Sequence, residues 1–410
     1  MTATNDLDRM IHPQEALETI LAHASPLSAE SVPIGDAAWR VLATDLVAPE
    51  DHPPFAASTM DGYAVVAIDG SPWREVLGVQ KAGAVLDVEV TDGMAVKIMT
   101  GAPIPPGADA VVQVENTETA DDHVIIHQDD VPVGLNIRPI GVDVKKGDLI
   151  LAAGTRLGPS ELGMVAAMGL NPVPVYKRAR ISILSTGDEL VEPGDPVGPG
   201  QIRDSNRFSL MAAIEAEGGE IVWSGKTPDE RPALEQLLKE RIADSDIVIT
   251  SGGVSMGDLD LVKALLVELA TVHFRRVFFK PGKPLNFATS GNTLIFGLPG
   301  NPVSALTTFE LFLRPALAVL NGRGPSPRAL VPVVLDQGAI PADRIEYQRA
   351  RVWVAPDGTL HAAPNGSQAS SRLASFVGVN ALLVIAPREF EYQAGERVQA
   401  MMLAAPFASA

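Results

Sequence analysis

The sequence predicts a multi-domain α/β protein: a doubly wound, mostly parallel sheet domain, two smaller β-rich domains and a helical connector domain. Between 180 and 320, apolar stretches at 181–185, 220–223, 247–250 and 293–296 alternate with helical ones at 208–217, 231–243, 259–269 and 302–320, the rhythm of a parallel sheet covered on both faces. On either side, 51–133 and 326–410 carry short Val- and Ile-rich runs broken by Gly, Pro and Asp, the pattern of small β domains. Within the α/β part, three segments share one plan: a buried strand, a glycine turn and the start of a helix.

In chain order, 13–23 reads as a short helix opened by Pro13, with Ala16, Leu17, Ile20 and Leu21 on its core face. The runs at 63–68, 95–99, 110–114 and 124–127 are strands of the first β domain. Residues 135–154 are glycine-rich, and 159–169 is a helix with Pro159 in its first turn and Gly169 at its end. A connector domain of 1–50 with 135–178 follows, then domains over 51–134, 179–325 and 326–410. The last boundary falls at the turn-rich Gly-Arg-Gly-Pro-Ser-Pro-Arg after Asn321.

A chain of 410 residues accommodates several cores. With 32 Lys and Arg against 50 Asp and Glu, the formal charge is −18, a field that repels nucleic acid. The absence of cysteine excludes disulfides, thiolate nucleophiles and Cys-ligated metals. No basic-then-apolar leader and no uninterrupted run of roughly 18 apolar residues is seen, so the expectation is a cytoplasmic protein with neither nucleic acid nor membrane as partner.

Ligands of open α/β sheets collect at the carboxyl ends of the strands, where loop amides and helix N-termini face outward. In the loop after 247–250, Gly252 and Gly253 admit close backbone approach to a phosphate, and Ser251 and Ser255 offer hydroxyls. Asp258 and Asp260 follow, and beside an anion such carboxylates make sense only with a cation between them. Asp188 and Glu189, after the first strand and Gly187, add hard oxygen ligands of the kind Mg²⁺ takes alongside a substrate phosphate. The third loop, 297–304, sets Gly300 before Asn301 at an N-cap and Pro302 at the first helical position, with Ser304 just inside. The stretch 275–284 sets Arg275, Arg276, Lys280 and Lys283 within an acidic chain, and Pro281 and Pro284 stiffen the turn, which would pre-set both ammonium groups toward a tetrahedral oxyanion or a phosphate. Seven scattered histidines form no zinc motif, and neither a nucleophile elbow nor a P-loop lysine is present.

Together these strings resemble one family, the molybdopterin molybdenumtransferases (MoeA proteins), related to the C-terminal part of gephyrin. The resemblance runs through Ser58-Thr59-Met60-Asp61-Gly62-Tyr63-Ala64, Met99-Thr100-Gly101-Ala102-Pro103, Asn136-Ile137-Arg138-Pro139, Ser185-Thr186-Gly187-Asp188-Glu189-Leu190 and Gly200-Gln201-Ile202-Arg203-Asp204-Ser205-Asn206. It continues through Ser251-Gly252-Gly253-Val254-Ser255, Lys280-Pro281-Gly282-Lys283-Pro284 and 297–304. It implies insertion of molybdate into adenylylated molybdopterin with release of AMP, assisted by Mg²⁺, in a homodimer whose cleft lies between subunits. It is also compatible with binding of a molybdopterin adenylyltransferase. By resemblance, Lys280, Lys283, Ser304, Arg349 and Ser371 surround the molybdate. Asp188, Glu189, Asp229, Ser255 and Asp260 hold the adenylyl phosphates and Mg²⁺, and Asp61 and Thr100 reach the cleft from the partner subunit. Ala56 departs from the acidic residue common in the family, and Arg276 stands where some relatives carry a lysine. Two alternatives differ in class: an adenylyltransferase, which resembles the same α/β unit but carries Gly-Gly-Thr-Gly at the glycine turn, and a scaffold that has lost the chemistry.

Overall fold

The computed structural model describes residues 7, 9–227, 230–252 and 261–409. The chain forms two compact units, one of 1–31, 39–43 and 174–410, the other of 32–38 and 44–173.

At the heart of the first unit is a seven-stranded sheet in the order Met10–Ile11, Thr271–Val277, Pro284–Ser290, Thr293–Leu298, Ile247–Ser251, Arg180–Ser185 and Glu220–Lys226. The last four strands are mutually parallel, as their near-continuous Ile, Val and Leu content requires of strands covered on both faces. Alternate residues divide between two cores. Ile181, Ile183, Ile247, Ile249 and Phe296 pack with helices Pro13–Ala22, Asn206–Ala216 and the segment Pro302–Leu320. On the other face Leu184, Val248 and Ile295 pack with Leu234 and Leu238 of helix Arg231–Asp244 and Leu265 of helix Leu261–Leu269. Each such side chain contributes about 1.5–3 kcal/mol when fully buried.

All four expected strands and four expected helices of this unit are present. The hairpin Thr271–Val277 and Pro284–Ser290 was not expected, and Pro284–Ser290 runs antiparallel to both neighbours. The segment Pro302–Leu320 is long and apolar enough to cross a bilayer, but 89% of its 18-residue window is buried inside the protein. It is a core helix with a π-helical turn at Phe309–Leu313. Residues 10–22, expected in the connector domain, instead extend and cover the central sheet, Met10 pairing with Arg276.

Also in this unit, the C-terminal strands Ile345–Val354, Leu360–Pro364, Leu330–Leu335, Arg397–Met402 and Ala381–Ile385 close on themselves through a pairing of the first with the last. The result is a five-stranded barrel filled by Val333, Val352, Leu383 and Ile385. Phe279–Lys280 adds to its edge beside Ile345–Val354, so the chain between hairpin strands is shared by sheet and barrel.

In the second unit, six strands in the order Ala110–Gln113, Gly62–Val65, Met94–Ile98, Trp73–Gln80, His123–Ile126 and Thr117–Ala120 form one sheet around Tyr63, Val65, Ala95 and Val112. Helix Pro159–Ala167, opened by Pro159 as expected, lies in the same unit.

Candidate active site

The three loops meet at the carboxyl edge of the parallel strands. Thr186 N–H donates to Ser251 O at 3.0 Å, and Gly252 N–H to Leu298 O at 3.3 Å. Gly252 has φ +88°, and a Cβ there would stand 2.5 Å from the Thr186 carbonyl oxygen, so only glycine permits this approach. The Asn206 amide binds the second and third loops together, donating to Ser251 Oγ at 3.0 Å and to Gly300 O at 2.8 Å. Asn206 carried no role in the sequence reading; its position closing the Gly200-to-Asn206 string was the only signal.

Between the sheet and the barrel lies a cleft of about 830 Å³. Lys283, Asn301 and Ser304 line it from the sheet side, Arg344, Glu346 and Ser370 from the barrel, and Lys280 from the short strand paired with the barrel. The lysine turn is closed by Val277 N–H donating to Lys283 O at 3.0 Å. Gly282 sits in it with φ +127°, and a Cβ there would fall 2.4 Å from the Phe279 ring.

Beneath Lys280 lies Glu346, its register partner across the parallel pairing. The Lys280 side chain is 49% exposed and its ammonium stands 3.1 Å from the carboxylate of a side chain that is 2% exposed, an ion pair by distance though not aligned as a hydrogen bond. Gln348 Nε2 donates to the other Glu346 oxygen at 3.2 Å and to Ile340 O at 2.9 Å. Glu346 was not singled out in the sequence, because its burial follows from a pairing across 66 residues. Arg344 lies over the Phe278 ring and grips Asp343 with two nitrogens.

Asn301 stands at the N-cap with Pro302 following, but its side chain makes no cap. Its amide donates instead to Ser370 Oγ at 3.0 Å, and Val303 N–H donates to Ser370 O at 3.2 Å, tying the third loop to the barrel. Pro302 has no N–H and the Val303 N–H is given to Ser370, so the first turn is fastened to the barrel rather than left as a row of open donors.

Other expected residues are placed differently. Arg349 does not line the cleft: it is 0% exposed. It braces the loop behind, donating from Nε to Ser375 Oγ at 3.0 Å and from one terminal nitrogen to Ser367 O and Ala369 O at 3.0 and 3.3 Å. Burial lowers its pKa to about 10, with Glu346 acting in the opposite sense. Ser371 is exposed on that braced loop, next to cleft-lining Ser370. Arg276 is on strand Thr271–Val277 and is not among the cleft-lining residues.

Asp188 and Glu189 are exposed after the first strand, with the Glu189 carboxylate folded over Gly187 into the space a Cβ would fill. Neither is in an ion pair with another described residue. Among the described residues no group of three acidic or histidine side chains is gathered for a metal. Asp229, Gly253, Ser255, Asp258 and Asp260 lie outside the described residues. In the second unit, Asp61 and Thr100 meet: Asp61 Oδ1 accepts from Thr100 N–H at 2.7 Å and from its hydroxyl at 2.8 Å. Those two donors, the amide first, hold the Asp61 carboxyl below its ordinary pKa.

Comparison with known proteins accounts for nearly the whole chain. Residues 11–169 match the MoeA N-terminal region (domain I and II), 182–319 a probable molybdopterin binding domain, and 333–403 the MoeA C-terminal region (domain IV). The chain is 37% identical to a molybdopterin molybdenumtransferase of Haemophilus influenzae, over 91% of this chain and 93% of that one. It is 35% identical to the molybdopterin molybdenumtransferase of Bacillus subtilis, over 95% and 93%. The fold is similar to the crystal structure of a molybdopterin biosynthesis MoeA protein from Pyrococcus horikoshii, with a TM-score of 0.83 and 30% identity over 97% of this chain and all of that one.

Proposed function

The chain belongs to the molybdopterin molybdenumtransferase (MoeA) family, and from that membership we propose that its cleft inserts molybdate into adenylylated molybdopterin, releasing AMP and yielding molybdenum cofactor. The observation that carries the assignment to this cleft is the meeting of Lys280, Lys283, Asn301 and Ser304 around one cavity in an otherwise acidic chain. Fixed cations lower the energy of gathering a second anion beside an anionic substrate. Glu346 holds Lys280 to the barrel while the lysine side chain stays half-exposed, so the charge is placed before the oxyanion arrives.

The chemistry has two parts. At the anhydride, water attacks phosphorus and AMP leaves with the bonding pair. At the metal, the two dithiolene sulfurs form bonds to molybdenum as one oxygen leaves with the two thiol protons as water. The loops at Ser251, Gly252 and Gly300 orient the nucleotide, and the lysines orient molybdate. Asp188 and Glu189 fit a hard divalent cation, being exposed carboxylates at the phosphate-facing edge, and would hold Mg²⁺ together with Asp258 and Asp260. When bound, that ion polarises phosphoryl oxygens.

We read the active form as a cytoplasmic homodimer, in which the linked Asp61 and Thr100 serve a partner's cleft. Family likeness supports this. A molybdopterin adenylyltransferase is the macromolecular partner to which the same reading points. The test of the cleft is a double variant, Lys280→Ala with Lys283→Ala, assayed for AMP release with and without molybdate. Loss on the order of 100-fold is expected. Molybdate-dependent AMP release at the wild-type rate by that variant would sink the assignment.

A further inference from the structure

Asn206 is the first residue of helix Asn206–Ala216 and is 9% exposed. Its side-chain nitrogen reaches acceptors on two different loops, Ser251 Oγ at 3.0 Å and Gly300 O at 2.8 Å. Those loops already touch, since a Cβ on Gly300 would lie 3.6 Å from Gly252 Cα. From Gly300 the chain passes at once to Asn301, which grips Ser370 on the barrel, and to Ser304 in the lysine-lined wall. A continuous strut therefore runs from the glycine turn to the lysine-lined cleft, with Asn206 as its only side-chain link between the first two segments among the described residues.

We propose that Asn206 is a positioning residue for the insertion reaction, holding the phosphate-facing turn at Ser251 and Gly252 in register with the Gly300-to-Ser304 segment. The inference rests on the reading of the cleft given above. Its physical basis is division of labour: the nucleotide lies across both loops while the lysines hold the oxyanion, so the reacting groups align only if the two loops keep a fixed distance. An asparagine suits this place because its amide carries two hydrogens, one for each acceptor. Leucine has the same branched skeleton of heavy atoms, with bulkier methyl groups, and neither donor. Without Asn206, the Gly300 carbonyl and the Ser251 hydroxyl lose a buried partner, and beyond the strand pairing that ends at Ser251 and Leu298 the spacing of the two loops loosens.

The test compares wild type with Asn206→Leu, using full-length protein and two probes measured separately by calorimetry, AMP and sodium molybdate. Asn206→Leu is expected to weaken AMP binding about tenfold while molybdate affinity stays within about twofold, because the lysines are untouched. In steady state the KM for adenylylated molybdopterin rises and kcat falls. A general loss of structure would instead weaken both probes alike. AMP binding at the wild-type affinity in Asn206→Leu, or equal losses for the two probes, overturns the inference. Should the leucine variant not fold, Asn206→Ser carries the same comparison, since its shorter hydroxyl cannot span both acceptors. A wild-type protein that binds neither AMP nor molybdate removes the cleft reading itself, an outcome distinguishable from a failure confined to Asn206.

Discussion

At the scale of single residues, the placement of Arg349 changes what its guanidinium does. A cation facing the cleft would act on the oxyanion directly, whereas this one is buried and makes three donations to the loop between Ser367 and Ser375. That loop carries Ser370, the acceptor for Asn301, so Arg349 acts on the site through the backbone it supports. Desolvation lowers its pKa to about 10, which still leaves the group charged at neutral pH. Arg349→Met keeps much of the stem and deletes every donor, leaving two carbonyls and a hydroxyl short of partners. The expected cost is about 2–3 kcal/mol of stability, read from urea unfolding. Arg349→Lys should recover less than half of it, because an ammonium cannot span a hydroxyl and two carbonyls as a planar fork does. Full recovery by lysine would mean that charge alone matters there.

Among the elements, what was legible in the sequence followed from local physics. The strands Arg180–Ser185, Ile247–Ser251 and Thr293–Leu298 announced themselves because burial on both faces requires unbroken apolar runs, and the loops after them because glycine is required where backbones meet. The hairpin Thr271–Val277 with Pro284–Ser290 was hidden because Arg275 and Arg276 read as a charged surface run. Glu346 and Asn206 stayed silent for another reason, since their partners are fixed by pairings distant in sequence. One such long-range contact has a pH signature. Helix Pro13–Ala22 docks on strand Thr271–Val277 with the His23 and His273 rings 4.1 Å apart. Burial first, and then the facing His23, hold His273 below the ordinary histidine pKa. The unfolded chain therefore takes up a proton that the folded chain refuses, so stability is intact above the ordinary pKa and declines as pH falls through it. The urea midpoint of the wild type should drop between about pH 7 and about pH 5, and by less in His273→Phe. Equal drops in the two proteins would assign the dependence to other groups.

For the molecule as a whole, the first unit depends on how its barrel is fastened to its α/β part, because the cleft takes one wall from each. The fastening is charged. Glu217 at the end of helix Asn206–Ala216 pairs with Arg323 at 2.7 Å and Arg328 at 3.3 Å, both in the linker to the barrel. Arg328 also holds Glu310 at 2.9 Å, and Glu310 holds Arg314 at 3.3 Å. Glu310 lies in the π-helical turn of Pro302–Leu320, the helix whose first turn carries Ser304. Linker and cleft wall thus meet in one network of two carboxylates and three guanidiniums, most of them largely buried, and Arg328 ties it to the barrel end by donating to Leu403 O at 3.4 Å. Such a network is worth little as bare attraction but is costly to break from one side, since the remaining charges keep their desolvation penalty without compensation. Glu217→Ala leaves Arg323 without its carboxylate and Arg328 with only Glu310. It should destabilise the unit by about 2 kcal/mol and loosen the barrel, raising the KM for the adenylylated substrate more than it lowers kcat. Glu217→Ala together with Arg323→Met and Arg328→Met removes the orphaned cations, and should restore stability without restoring the KM. If the triple variant recovers both, the network is a stabilising device only and the barrel is held in place by its apolar contacts.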